Sequence, residues 1–190
     1  MPEPTPAVPA GAVNVAVVYY SLTGNVRILA EAAAEGAAKA GAEVRLLPVA
    51  EAANEDLVWA DAVLFGTPTR YGSMAAPVKE FIDATGPLWQ AGRLAGRVYG
   101  AFVSTASAHG GQESTLLSFL TVFSHWGGII VPPGFTAPIQ FASGNPYGTS
   151  HVSAKGSRPG DVERDAARYQ ARRVVAVAAA LKAGGAGAHP

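Results

Sequence analysis

Hydrophobic positions in this chain fall into short continuous runs that alternate with stretches of helical spacing. Residues 13–20 (VNVAVVYY) form a nearly unbroken β-branched and aromatic run, the pattern of a strand buried on both faces of a parallel sheet. Over 26–40, Val26, Leu29, Ala30, Ala33 and Ala37 share one helical face, and Gly41 ends the run. The same reading predicts strands over 43–49, 62–66, 97–105 and 128–131. It predicts helices over 54–60, 75–85, 113–126 and 159–182, the last one burying Val162, Ala166, Tyr169, Val174, Val177 and Leu181. Residues 138–159 show no clear periodicity, which is long for a structureless connection. Within them, 147–151 (YGTSH) fits an exposed loop as well as it fits a site wall or subunit contact.

Five strands separated by helices predict an α/β fold: one doubly wound, five-stranded parallel sheet with helices on both faces. The expected domain spans 13–183, between flexible tails at 1–12 and 184–190. Sheets of this kind take ligands beyond the C-terminal ends of their strands, at the point where strand order reverses. The loops at those ends are therefore the candidate site.

Composition narrows the chemistry. The chain has 190 residues, 49% hydrophobic and 15% charged, so it suits one folded domain and not a disordered segment. Fourteen Lys and Arg balance fourteen Asp and Glu, which gives neither the basic stripe of a nucleic-acid binder nor the acidic face of a free electron carrier. The absence of cysteine excludes disulfides, thiolate metal sites, iron–sulfur clusters and a Cys nucleophile. With four scattered histidines no metal site is expected. No apolar run reaches the roughly 18 residues of a membrane span. The start, Met1-Pro2-Glu3-Pro4, does not read as a secretory signal, so the cytoplasm is the default expectation.

After the first strand come Ser21, Leu22, Thr23, Gly24, Asn25 and Val26. Short polar side chains and a glycine at a helix start make an anion site, because open amides and the helix dipole favour negative charge. The loop has neither the Gly-Lys-Ser/Thr of a triphosphate loop nor the three glycines of a dinucleotide fingerprint. A hydroxyl-rich loop without a cation suits a terminal phosphate monoester such as that of FMN. The plainer alternative, that Ser21, Thr23 and Asn25 are ordinary caps, stays open on these residues alone. Strands three and four are also followed by loops rich in Gly, Ser and Thr, at 66–74 and 104–113. Such loops suit a flat ring with polar edges, their amides stabilising negative charge on it.

Taken together, several stretches resemble the WrbA family: Tyr-Tyr-Ser-x-x-Gly after the first strand, Gly-Thr-Pro-Thr-Arg-Tyr-Gly, Thr-Gly-Pro-Leu-Trp, Gly-Gly-Gln-Glu, His-Trp-Gly-x-Ile-Ile-Val-Pro-x-Gly and Pro-Tyr-Gly. The resemblance runs from Val13 to about Leu181. It implies a flavodoxin-like fold and FMN-dependent reduction of quinones by NADH or NADPH. It implies FMN contacts at residues 21–26, at Thr69, Arg70 and Tyr71, at Thr105, Ala106, Ser107, Ala108, His109 and Gly110, and at His125. It implies a substrate contact at Trp89, and homotetramers, with a dimer as the smaller possibility, in which neighbours complete each site. This chain departs from the family at Thr23, where an aromatic residue is usual, in the bulkier loop 106–111, and in the short segment 48–61.

Each of these residues also has a structural reading. Trp89 fits a core anchor, and His125 a helix-terminal histidine bonded to carbonyls. Arg70 fits a surface ion pair, Tyr71 a core or interface aromatic, and His109 a loop bystander. The expected reaction passes hydride from the nicotinamide to flavin N5 and on to the quinone in ping-pong order, with His125 or water supplying protons. The alternative is a flavodoxin-type carrier serving a protein partner. No nucleic-acid partner is expected.

Overall fold

The computed structural model describes residues 12–185. The tails expected at 1–12 and 184–190 therefore lie almost wholly outside the described residues. Ala12 is held, its carbonyl accepting from Lys182 Nζ at 3.1 Å.

The elements follow the expected alternation: β1 Asn14–Tyr19, α1 Asn25–Lys39, β2 Glu43–Pro48, α2 Asn54–Trp59, β3 Ala62–Arg70, β4 Ser73–Met74, α3 Ala76–Asp83, α4 Gly86–Gln90, β5 Val98–Thr105, α5 Gln112–His125, β6 Ile129–Ile130, α6 Pro138–Ser143, β7 Thr149–Val152 and α7 Asp161–Ala183. The strand order β2-β1-β3-β5-β6 is that of a flavodoxin-like doubly wound sheet, with the switch point between β1 and β3.

The sheet holds seven strands among the described residues, not five, and all its pairings are parallel except that of β4 with β3. Two differences from the expected pattern account for the count. First, β3 runs on to Arg70, through residues read from the sequence as loop, and turns back as β4. Second, the fifth position is interrupted. Both β6 and β7 pair with β5, β6 at Val98 and Tyr99 and β7 at 102–105. Residues 131–148 leave the sheet between them and carry α6. The stretch 138–159 thus carries α6 and β7, with a continuous run of exposed chain at its end, over 154–158. A four-residue strand such as Thr-Ser-His-Val, pinned by a helix far along the chain, leaves too short a pattern to read.

Side chains of β1 alternate between two cores. Val13, Val15, Val17 and Tyr19 pack with α1 and α7, while Ala16 and Val18 pack with α3 and α5. Burial on both faces is why the run is unbroken. The second core centres on Phe65, Tyr99, Phe119, Phe123 and Trp126, with Tyr99 and Phe123 stacked at 4.9 Å. Tyr99 donates to the Leu94 carbonyl at 2.7 Å, and burial pushes its phenol up.

Helix α7 buries the expected Ala166 and Val174, packs Val177 and Leu181 half-buried against the same core, and adds smaller residues to the stripe. Ala166, Ala167, Gln170, Ala171, Val174, Val175, Ala178 and Ala179 are inside, whereas Val162 is exposed and Tyr169 only half-buried. Small residues bring α7 close to α1. A Cβ on Gly36 would lie 2.4 Å from the Arg168 carbonyl oxygen, so only glycine fits there. The α1–α7 contact places both helix N-termini at the C-terminal edge of the sheet.

Candidate active site

The loop after β1 is built as an anion cradle. Tyr20 N bonds to the Gly66 carbonyl at 2.9 Å, which fixes the chain as it leaves the strand. Ser21 Oγ then accepts from the amides of Gly24 at 3.1 Å and Arg27 at 3.2 Å. The amides of Thr23, Asn25 and Val26 carry no hydrogen bond among the described residues. Gly24 holds φ +92°, a backbone that L side chains rarely adopt. Asn25 and Val26 are buried, while Leu22 and Thr23 are exposed. Ser21 thus works inside the loop, and the amides left open at the start of α1 have the helix dipole behind them. Beside the loop, on its β2 side, lies an open cleft of about 520 Å³ bordered by Tyr19, Ser21, Leu22, Arg27 and Val49. Burial pushes the Tyr19 phenol up there, partly opposed by Arg27.

The loop after β3 is a two-residue hairpin. Tyr71 and Gly72 have φ of 51° and 76°, and the pairs Thr69–Met74 and Arg70–Ser73 flank them. Thr67 Oγ1 accepts from Ala75 N at 3.0 Å and ties down the base. A tyrosine at positive φ is strained, and strain of this kind clusters at ligand clamps. Its ring is fully exposed, at 108% of the reference area, so Tyr71 is no core residue. Arg70 is exposed and pairs with no carboxylate among the described residues; its guanidinium reaches only the Thr69 carbonyl, at 3.4 Å.

The loop after β5 lies directly against this hairpin. A Cβ on Gly111 would sit 2.6 Å from Gly72 Cα, and Ser114 Oγ donates to the Gly72 carbonyl at 2.8 Å. A Cβ on Gly110 would fall 1.8 Å from Thr105 Oγ1, so the loop closes only with glycine there. Thr105 is buried, and Ala106, Ser107, Ala108 and His109 are exposed. Gln112 Nε2 holds the Ala108 carbonyl at 3.0 Å, while its buried Oε1 has no partner. The three loops therefore stand at one edge of the sheet, on the ends of the adjacent strands β1, β3 and β5.

Two expected residues lie elsewhere. Trp89 is 54% exposed, which excludes the core-anchor reading. Its Nε1 donates to the His125 backbone carbonyl at 2.8 Å, so the two sit together. They do so at the opposite rim, because α5 starts beside the 105–111 loop and runs 14 residues away from it, about 20 Å. Within one chain His125 and Trp89 do not reach the mouth formed by the other residues.

The expected absence of a cation at the first loop does not hold. Arg158, from the segment between β7 and α7, lies over Gly24 and bonds to the Thr23 carbonyl and to Asn25 Oδ1. Thr23 and Arg158 stand 135 positions apart in the chain, so no local signal marks their meeting. Nearby, the buried His151 joins Glu163 Oε1 at 3.1 Å and the Ser157 carbonyl at 3.1 Å. Burial raises the Glu163 carboxyl, but hydrogen bonds from His151 and from backbone amides outweigh it and leave the carboxyl below its ordinary 4.5. A depressed carboxyl contributes stability that is present above the unfolded value and lost as pH falls through the folded one. The urea midpoint is accordingly expected to drop as pH is lowered below 4.5, and to drop less steeply in Glu163→Gln; equal slopes would refute this coupling.

Among the described residues, no cluster of three or more His, Asp or Glu is placed to hold a metal, and no helix is long and apolar enough to cross a membrane.

Comparison with known proteins finds a matching family model and named relatives. The family model described as NADPH-dependent FMN reductase matches residues 13–142. A protein of Deinococcus radiodurans named NAD(P)H dehydrogenase (quinone) is 38% identical, over 89% of this chain and 97% of its own length. One of the same name from Sinorhizobium fredii is 40% identical, over 88% and 98%. Among solved structures, the flavodoxin-type, WrbA-like protein of Agrobacterium tumefaciens superposes with a TM-score of 0.69 at 27% identity, over 88% of this chain and 98% of that one. An archaeal flavodoxin shares the fold, with a TM-score of 0.67 at 19% identity.

Proposed function

The chain belongs to the NADPH-dependent FMN reductase family, alongside the NAD(P)H dehydrogenases (quinone) and WrbA-like proteins, and from that premise we propose that it reduces quinones with NADH or NADPH through bound FMN. The observation that carries the reading is the set of open amides on the β1 loop, standing at the same sheet edge as the paired Gly72–Gly111 loops. A phosphate needs donors without bulk, and the start of α1 offers them behind a glycine. A flat ring needs two loops whose backbones approach closely, and the glycine contacts permit it. The residues therefore fit the cofactor. Bound FMN would supply two-electron hydride chemistry between nicotinamide and quinone, and a ping-pong order of the two substrates is part of the proposal.

The protein's part is to bind, orient and protonate. The open amides of Thr23, Asn25 and Val26 and the hydroxyl of Thr23 hold the phosphate end. Thr69, Arg70 and the exposed Tyr71 ring form one wall, and 105–110 the other. His109 stands exposed on that second wall. Trp89 and His125 occupy the opposite rim, so we assign them to the mouth of a neighbouring copy in a homotetramer. Exposed Leu22, Tyr71, Trp89, Leu117, Phe135, Phe141 and Tyr147 supply apolar surface for such an assembly. There Trp89 offers a flat surface to the quinone, and the His125 ring nitrogens offer a proton to its oxygen. The setting we propose is cytoplasmic.

The test is the absorption spectrum of the purified protein, with mass identification of the released flavin, followed by steady oxidation of NADH and NADPH with a benzoquinone. Parallel double-reciprocal lines are expected. Absence of flavin overturns the reading, and electron delivery only to a protein acceptor turns it into a carrier. For His125→Gln, the quinone half-reaction is expected to slow and to lose part of its pH dependence; an unchanged profile removes His125 from the proton path.

A further inference from the structure

We propose that Arg158 supplies the positive charge of the cofactor-phosphate site, as a binding residue brought to the β1 loop by the segment between β7 and α7. The inference rests on the FMN reading above. Its Nη1 donates to the Thr23 carbonyl and, at 3.1 Å, to Asn25 Oδ1, so it grips the loop on both sides of Gly24. A Cβ on Gly24 would lie 2.9 Å from that same nitrogen. Glycine at this position therefore does two jobs: it takes the positive φ, and it leaves room for the guanidinium.

Arg158 is exposed, and the electrostatics of the contact favour an anion beside it. Both acceptors are neutral, and no carboxylate lies within ion-pair distance of Arg158 among the described residues. Of its five N–H donors, only those on Nη1 are engaged. The guanidinium also stands beside the positive end of α1, a 15-residue helix. Two positive features that meet with no counter-charge repel each other, and a dianionic phosphate between them reverses the sign. A guanidinium suits this role because its planar fork matches phosphate oxygens in pairs.

Arg158 is also held in place. Ser157 on one side presents its carbonyl to His151 Nε2 and its hydroxyl to the Val152 carbonyl at 3.2 Å. Two residues further on, Gly160 N bonds to Glu163 Oε2 at 2.9 Å, and Glu163 Oε1 bonds to His151. One buried histidine thus anchors both sides of the arginine, which limits the conformational freedom lost when an anion binds.

The test compares affinities for FMN and for riboflavin, which lacks the phosphate, by quenching of flavin fluorescence on the full chain stripped of flavin. Arg158→Gln is expected to weaken FMN about tenfold, the scale of one charge-assisted hydrogen bond, and to leave riboflavin within about twofold. Arg158→Lys is expected to recover part of the loss, and the salt dependence of FMN binding is expected to flatten in Arg158→Gln. Equal weakening of both flavins, or no change in their ratio, overturns the assignment and leaves the FMN reading standing. Failure of the parent to bind FMN overturns both.

Discussion

Gly24→Val is expected to weaken FMN binding at least a hundredfold while the chain still folds. A β-branched residue at φ +92° carries strain of about 1–3 kcal/mol. Its Cβ would also displace Arg158, which otherwise lies 2.9 Å from that point. The chain can relieve both only by moving the loop, and the loop carries the open amides of Thr23, Asn25 and Val26. Cofactor affinity is therefore lost before global stability is. A loss of about 2 kcal/mol lowers the thermal midpoint by only about 4–8 °C in a chain of this size. Fluorescence titration and a thermal melt on the same sample separate the two effects. Parental affinity in Gly24→Val would show that the phosphate binds elsewhere.

Gln170→Leu is expected to cost about 3–5 kcal/mol of stability. Gln170 is 2% exposed and lies on α7 facing the sheet. Its Oε1 accepts from both Thr149 N and Thr149 Oγ1 at 2.9 Å, and its Nε2 donates to the Ala101 carbonyl at 2.9 Å. One side chain thus closes the gap where the fifth strand position resumes at β7. Leucine has a similar size but takes the partner from the Thr149 amide, the Thr149 hydroxyl and the Ala101 carbonyl, and an unpaired buried group costs about 1–3 kcal/mol. The effect should reach the site, because β7 leads directly into the segment that carries Arg158. The expected readout is a large fall in the urea midpoint together with weaker FMN binding. A change below about 1 kcal/mol, the net value of a single hydrogen bond, would mean that β7 pairs with β5 without the glutamine.

How far the site was legible depended on how local each signal was. Residues 21–26 could be read as an anion loop because strand, polar turn and helix are contiguous. Thr69, Arg70 and Tyr71 were marked as candidates, but the hairpin was not, since Tyr-Gly is an unusual pair for a turn with two positive φ angles. The continuation of β3 to Arg70 was hidden by Gly66 and Pro68, residues that usually end strands. The stripe on α7 is wider than its large residues mark, because alanines weigh little in a hydrophobic pattern yet dominate a close helix contact. Trp89 and His125 stand out only through a family resemblance, and their separation from the mouth is set by the length and direction of α5.

Periodicity determined the order of elements, the doubly wound class and the three loops at the strand ends, because each of these depends on neighbours within a few residues. The meeting of Arg158 with Gly24, the split of the fifth strand position around Gln170, and the placing of His125 at the far rim depend on contacts between distant parts of the chain. Packing alone decides such contacts, since a guanidinium or an amide carries no mark in the sequence of which remote carbonyl it will meet.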